Sequence, residues 1–157
     1  MHAIPWVTSC FLSFESENVR SDAMAEKLSI VMFSGTADKF IPLGVLAQAA
    51  GAMGVQVNVF VTGFALMGFT KKKSELPFPS EFTGMAPALM EGMKKNNVAP
   101  WDKMLEEAKK FGAKVYACSM MAGVMGLGKN DFNPLVDDVV GAPTFLGKAD
   151  GGQVLFI

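Results

Sequence analysis

The sequence of 157 residues has almost no histidine, since its single histidine, His2, stands at the amino terminus. A Ser-His-Asp or Cys-His catalytic arrangement would require that terminus to fold back, and a His-rich zinc site is excluded. Cysteine is nearly as scarce, with only Cys10 and Cys118. Two cysteines are too few for a disulfide framework, so we expect a reducing compartment and a cytoplasmic protein. We identify no metal site and no motif that requires a cofactor.

Charged residues are also few, at 18% of the chain, and the formal net charge is -1. A nucleic-acid binder would show a basic patch or stripe, and the longest cationic run is Lys71 to Lys73, which is typical of a solvated loop. We therefore expect no nucleic-acid partner. Half of the residues are hydrophobic and the mean hydropathy is +0.30, which fits a protein that buries surface against copies of itself.

No charged side chain occurs between Lys39 and Lys71, a length that raises the possibility of a membrane span. The periodicity argues against it. Residues 41–53 are rich in Ala, Leu and Gly, Gly54 interrupts them, and residues 55–61 then alternate Val with other residues. A change of period from 3.6 to 2 at a glycine indicates a helix, a turn and a strand. We expect no membrane association.

The remaining pattern alternates strands with helices. We predict strands at 28–33, 55–61, 114–118, 136–140 and 154–157, helices at 37–53, 101–111 and 119–127, and a helical turn at 144–149. Residues 65–100 form an irregular insert with one short helix near 85–95. This alternation predicts an α/β fold, a three-layer α/β/α sandwich with a mostly parallel sheet of about five strands.

The chain divides into an amino-terminal segment and one domain. Residues 1–23 show no sustained periodicity and precede a second methionine, Met24, which leads directly into the first strand. We interpret residues 1–23 as a leader or start-site extension without stable structure. Residues 24–157 are then a single α/β domain.

Cys118 ends a strand and opens a short Met- and Gly-rich helix, which places its sulfur at the carboxyl edge of the sheet. Ligands bind at that edge in open α/β sheets, and the first N–H groups of the helix would favour the thiolate. Two other strand ends reach the same edge, one at Ser34 and Gly35 and the other at Thr62 and Gly63. Their backbone N–H groups and hydroxyls, with Ser119, suggest a small anion site around Cys118. A buried structural thiol is the competing interpretation.

Three other motifs are weaker. Residues 123–130 come within one residue of a nucleotide P-loop, but Asn130 stands where Ser or Thr should bind magnesium, and Pro134 stops the following helix. The Ser34–Thr36 loop is short for a flavin phosphate site. The methionines beside Cys118 are soft ligands for copper(I), yet twelve methionines in the chain favour a packing role.

Several segments together resemble the DsrE-like proteins of sulfur-metabolising prokaryotes, specifically their single-domain branch. The stretch FSGTADKFIPLGVLAQAAGAMGVQVNVFVTGFALMG resembles the opening of that branch. The stretch AKVYACSMMAGVMGLGKNDF resembles its cysteine motif, and GAPTFLGKADGGQVLFI resembles its carboxyl-terminal end. The likeness covers about residues 27–157, in the right order.

The resemblance implies an α/β subunit that forms homo-oligomers and handles sulfur at one cysteine. Such proteins are thought to carry persulfide or thiosulfonate sulfur and to exchange it with TusA-type carriers or other thiol proteins. Cys118 matches the family cysteine, and Ser34 and Gly35 match the first loop. The chain departs from the pattern at Gly123 and over residues 62–66, so the sulfur species stays open.

We therefore predict a sulfur carrier or sulfurtransferase that holds sulfane sulfur on Cys118 and passes it to a partner thiol. Ser34, Gly35, Thr62, Gly63 and Ser119 are the predicted substrate-binding residues. With one usable cysteine, internal disulfide resolution is impossible, which favours carrier chemistry. The alternative is an oligomeric small-molecule-binding or regulatory module whose buried Cys118 is inert.

Overall fold

A parallel five-stranded sheet forms the centre of the protein. The computed structural model describes residues 26–72 and 75–157. Its strands are β1 (Lys27–Met32), β2 (Gln56–Val61), β3 (Lys114–Cys118), β4 (Asp138–Val140) and β5 (Gln153–Phe156). They lie in the order β4-β3-β2-β1-β5, and each neighbouring pair is parallel. The predicted α/β fold is confirmed, whereas the predicted leader at 1–23 lies outside the described residues.

Five helices connect or follow the strands. They are α1 (Ala37–Ala52), α2 (Ala86–Lys95), α3 (Trp101–Lys110), α4 (Ser119–Val124) and α5 (Ala142–Ala149), with short 3₁₀ segments at Gly63–Phe69, Ser80–Phe82 and Lys129–Asp131. The short helix expected near 85–95 is α2. Three predictions were wrong in detail, because β4 begins at Asp138 rather than at 136, α4 ends at Val124 rather than near 127, and α5 is a full helix rather than a turn. Helix α5 begins at Ala142, before the predicted turn at 144–149, because proline is well tolerated in a first turn, where the backbone N–H would have no acceptor within the helix.

One face of the sheet is covered by α1 and α3. The side chains of β2 that point to this face are Val57, Val59 and Val61, and all three are buried. The two helices approach closely at Gly44 of α1, where an added side-chain carbon would lie only 3.1 Å from the Cβ of Met104. This packing buries most of the large apolar side chains of the domain and is the main source of its stability.

The opposite face carries α5. Side chains alternate between the two faces along each strand, so Phe60 of β2 and Tyr116 of β3 point to the α5 face. Phe145 of α5 packs in one cluster with these two aromatic side chains. The Phe60 and Phe145 rings are stacked, with centroids 4.6 Å apart and planes 14° from parallel. Helices on both faces give the three-layer arrangement predicted from the strand–helix alternation.

The uncharged stretch between Lys39 and Lys71 contains α1, a turn and β2, as its periodicity predicts. Gly54 makes the turn with φ of 80°, a value that glycine adopts without steric cost. Across residues 26–72 and 75–157, every helix is too short or too polar to cross a bilayer.

Candidate functional site

The candidate site lies at the carboxyl edge of the sheet, where all the strands end together because they are parallel. Register pairs Met32 of β1 with Val61 of β2, and Val61 with Ala117 of β3. One residue further along, Thr62 and Cys118 are therefore neighbours in a row across this edge. Side chains alternate between faces, so Cys118 points to the α5 face together with Tyr116.

Cys118 is a free thiol, and only 4% of the residue is exposed. Its apolar surroundings include Phe60, Tyr116 and Phe145, with Met121 of α4 partly buried against them. The next two residues, Ser119 and Met120, are exposed, so the thiol lies just beneath the surface.

Two helices begin beside this thiol. Cys118 is the N-cap residue of α4, and no side-chain hydrogen bond caps that helix. Helix α5 begins after Gly141, the residue that follows the β4 partner of Cys118, Val140. A side-chain carbon placed on Gly141 would lie 3.8 Å from the Ser119 Oγ, so the two helix starts are adjacent. The first N–H groups of a helix have no acceptor within that helix, and two helices begin at this point of the edge.

Charged side chains also lie on the α5 face, namely Lys148, Lys129 and Asp138. The Lys148 Nζ lies 5.1 Å from the centre of the Tyr116 ring, a cation–π distance. The exposed Lys129 Nζ donates to the Asp138 Oδ1 at 2.8 Å. That hydrogen bond, with a second from the Val139 N–H, lowers the pKa of Asp138 below its usual value. Asp138 therefore stays ionised and paired with Lys129.

Thr62 and Gly63 end β2 in different ways. Thr62 is partly exposed, and the register makes it the neighbour of Cys118 on the adjacent strand. Gly63 is buried with φ of 54°, and an added Cβ would lie 2.6 Å from the Phe33 ring. The glycine is therefore required by the backbone turn and by the packing of Phe33.

Ser34 and Gly35 lie in a separate depression, which we call the β1 cavity. It has a volume of about 500 Å³ and is lined by residues 33–36, Phe64, Met67 and residues 75–77. Cys118, Thr62, Gly63 and Ser119 are not among its lining residues. The structure therefore brings Thr62 and Ser119 towards Cys118, and it places Ser34 and Gly35 two strands away.

Sequence reasoning missed two parts of this edge. The start of α5 beside Cys118 was hidden because the helix was expected only at 144–149, although Gly141 and Pro143 are typical start signals. The far wall of the β1 cavity comes from residues 75–77, within an insert that has no periodicity. No local signal could have assigned that segment to the Ser34–Gly35 loop.

Comparison with known proteins extends these observations. Residues 64–157 match the DsrE/DsrF/DrsH-like family. The chain is 30% identical to the uncharacterized protein YrkE of Bacillus subtilis, in an alignment that covers 84% of this chain and 97% of YrkE. It is 27% identical to the sulfur carrier protein DsrE2 of Allochromatium vinosum, over 84% of this chain and 98% of DsrE2.

Solved structures agree on the fold. The ychN protein of E. coli superposes with a TM-score of 0.54 at 13% identity, covering 85% of this chain and all of ychN. A protein of unknown function from Methanobacterium thermoautotrophicum, MTH1491, gives a TM-score of 0.53 at 13% identity, covering 83% of this chain and 98% of that one. With the family match over more than half of its length and with YrkE as a relative, the chain belongs to the DsrE/DsrF/DrsH-like family.

Proposed function

We propose that the protein carries sulfane sulfur on Cys118 and passes it to the thiol of a partner protein, as a sulfur carrier or a sulfurtransferase. The observation that supports this most directly is the position of Cys118. It is the one cysteine of the described residues, and it lies where two helices begin at the carboxyl edge of the sheet. The 27% identity to a protein named sulfur carrier supports the same chemistry.

The proposed reaction is thiolate exchange. The Cys118 thiolate attacks the outer sulfur of a persulfide or polysulfide donor, a new S–S bond forms on Cys118, and the donor leaves as a thiolate. In the second step an acceptor thiolate attacks the outer sulfur of the Cys118 persulfide, and Cys118 leaves as the thiolate. No external oxidant or reductant is consumed in either step.

The role of the surrounding groups follows from their place around the sulfur. The N–H groups at the starts of α4 and α5 would stabilise the attacking and departing thiolate. The hydroxyls of Thr62 and Ser119 would donate to the outer sulfur or to a thiosulfonate oxygen, and their nearness to Cys118 in the row and in the chain supports this role. A role for Ser34, Gly35 and Gly63 in binding the sulfur substrate stays a prediction.

The partner would be a TusA-type carrier or another thiol protein, and the reaction suits the reducing conditions of the cytoplasm. We also expect a homo-oligomer. Val154 and Phe156 of the edge strand β5 are 52% and 72% exposed, and Leu146 of α5 is 62% exposed. These apolar side chains would be covered in an assembly.

A second candidate function is an oligomeric binding or regulatory module in which Cys118 is inert. The 4% exposure of Cys118 and its aromatic surroundings favour this alternative. A buried thiol in an apolar environment resists ionisation and reacts slowly. The two functions therefore differ in whether Cys118 reacts while the protein is folded.

The proposed transfer can be followed directly. The protein is incubated with polysulfide, separated from excess reagent, and mixed with a reduced thiol protein as acceptor. Sulfane sulfur is then measured on each partner by cyanolysis. Cys118→Ser is the test variant and Cys10→Ser is the matched control.

Movement of sulfur to the acceptor from the wild type and from Cys10→Ser, with none from Cys118→Ser, supports the carrier function. Sulfur that stays on the protein in the presence of the acceptor argues against transfer. A Cys118 that takes up no sulfur and resists alkylation in the folded protein favours the inert module.

A further inference from the structure

The β1 cavity has the size and lining of a binding site for a small organic molecule. Its volume of about 500 Å³ lies in the range of ligand pockets. Two phenylalanines and a methionine contribute to its wall, namely Phe33, Phe64 and Met67, and they are 44%, 66% and 42% exposed. Exposed aromatic side chains gathered around a concave site are typical of binding surfaces.

The walls are held in place by backbone contacts between three separate segments. The Ala65 N–H donates to the Phe33 carbonyl oxygen at 3.1 Å, and the Ala37 N–H donates to the Pro77 carbonyl oxygen at 2.8 Å. Gly35 lies directly against Phe64, since an added Cβ would be 2.8 Å from the Phe64 carbonyl oxygen. The cavity is therefore preformed, which reduces the ordering that a ligand would have to impose.

The polar groups of the cavity do not suit an anion. The Ser34 and Thr36 hydroxyls hydrogen-bond to each other at 2.9 Å, and the Thr36 N–H also points to the Ser34 Oγ. Among the described residues that line it, none is a lysine or an arginine, and the one charged residue is Glu75. Glu75 is absent from the ion pairs found in the part of the chain that the structure describes.

Further carboxylates lie behind the Ser34–Thr36 loop. Asp38, in the first turn of α1, has a buried Oδ1 with no hydrogen-bond partner among the described residues, and its Oδ2 is 3.6 Å from the Lys39 Nζ. Hydrogen bonds from a backbone N–H and from the Ser80 hydroxyl lower the pKa of Glu81, and the charge of Asp38 opposes this shift weakly. Asp38 is thus paired with Lys39, and Glu75 is the carboxylate that faces the cavity itself.

We propose that the β1 cavity binds a small organic cation with an aromatic or aliphatic body and a single amino group. The apolar body packs on Phe33, Phe64 and Met67. The ammonium pairs with Glu75 and lies near the two rings, which meet edge to face with centroids 6.1 Å apart. The cavity is independent of the sulfur chemistry, because Cys118 does not line it.

Three indole compounds that differ in one group test the proposal, namely tryptamine, tryptophol and indolepropionate. Each is titrated into the full-length protein while backbone amide resonances are followed by NMR, and thiosulfate is titrated in parallel. Glu75→Gln is compared with Glu91→Gln, an exposed carboxylate of α2. Phe64→Ala is compared with Phe82→Ala, which is similarly exposed but does not line the cavity.

We expect tryptamine to shift the backbone amide resonances of residues 33–36 and 64–67. Tryptamine should also bind about tenfold more tightly than indolepropionate, because Glu75 attracts the ammonium of the first compound and repels the carboxylate of the second. Glu75→Gln should weaken tryptamine about three- to fivefold, as for an exposed ion pair. Glu91→Gln and Phe82→Ala should leave the affinity unchanged, and Phe64→Ala should lower it. Cys118→Ser should have no effect, which separates this site from the sulfur site.

Four results would overturn the proposal. The first two are that the three indoles bind with equal affinity and that tryptamine does not bind. The third is that Phe64→Ala leaves the affinity for tryptamine unchanged. The fourth is that thiosulfate shifts the same amide resonances as tryptamine. The last result would instead support the predicted role of Ser34 and Gly35 in binding the sulfur substrate.

Discussion

Replacement of Phe145 by alanine should both destabilise the protein and expose Cys118. Phe145 is 2% exposed and stacks on Phe60 at 4.6 Å, so its removal leaves a cavity between α5 and the sheet. Truncation of a buried phenylalanine costs about 3–5 kcal/mol. With a urea m-value of about 1–3 kcal/mol/M, the unfolding midpoint should fall by about 1–5 M. Domains have about 5–15 kcal/mol of stability, so the variant stays folded at neutral pH unless the wild type lies at the lower end of that range.

The neighbouring Leu146 is the matched control, since it lies on the same helix but is 62% exposed. Leu146→Ala should change the free energy of unfolding by less than about 0.5 kcal/mol. Iodoacetamide labelling of Cys118 in the folded protein is the second measurement, and it should be faster in Phe145→Ala than in the wild type or Leu146→Ala. Phe145→Leu, which should cost about 1 kcal/mol, keeps the test usable if the alanine variant is poorly folded.

Equal stability of the two alanine variants would refute the packing of α5 on the sheet described here. A large loss of stability with no change in labelling would mean that Phe145 stabilises the α5 face without covering the thiol. The covering side chain would then have to be sought on α4.

Three further predictions concern the backbone turn after β2 and the charged groups near β4. Gly63→Ala should lower the free energy of unfolding by about 2 kcal/mol or more, because φ is positive and the Phe33 ring occupies the space of the added methyl group. Gly54→Ala is the control, since Gly54 also has a positive φ but has open space around it, and it should cost about 1 kcal/mol. Urea unfolding measures both. Asp137→Ala should lower the free energy of unfolding by about 1–3 kcal/mol in the same assay. The Asp137 Oδ2 accepts hydrogen bonds from the Val115 N–H of β3 at 2.8 Å and from the Lys109 ammonium at 2.9 Å. A loss below about 0.5 kcal/mol would contradict these contacts. The pKa of Asp138 is lowered, so its stabilising effect is present above its unfolded-state pKa and is lost as pH falls through the folded-state pKa. Lys129→Met should raise that pKa towards its usual value in a carboxyl NMR titration, and an unchanged pKa would show that the hydrogen bond is not its main cause.

The fold could be predicted from the sequence because its strands are short, apolar and separated by clear stop signals. The alternation in residues 55–61 indicates β2 directly, and the structure shows the reason. Val57, Val59 and Val61 face α1 and α3, and Asn58 and Phe60 face α5. Both sets are buried, which is the pattern of an inner strand of a parallel sheet.

The position of Cys118 could also be predicted, since a strand that ends in a thiol and continues as a helix has only one arrangement in a parallel sheet. The residues that surround Cys118 could not be predicted in this way. The approach of α5 depends on the pairing of β4 with β3, and the three residues of β4 give a weak signal. The burial of the thiol beneath Phe145 is therefore a tertiary effect that no local pattern records.

The sequence also could not predict how far the loop after β1 lies from the end of β3 at this edge of the sheet. Ser34 and Cys118 both follow strands, which suggested one site. In the sheet, β2 lies between β1 and β3. Neighbouring strands are about 4.8 Å apart, so the two loops begin about 10 Å apart, and Cys118 does not line the β1 cavity.

Intact mass spectrometry after incubation with polysulfide, tetrathionate or thiosulfate tests the carrier function most directly. The wild type, Cys118→Ser and Cys10→Ser are compared, each with and without a reducing agent. We predict a reducible added mass in the wild type and in Cys10→Ser that is absent from Cys118→Ser, and the mass identifies the sulfur species carried. An adduct that persists in Cys118→Ser, or a wild type that takes up no sulfur from any donor, would contradict the proposal that Cys118 carries sulfur.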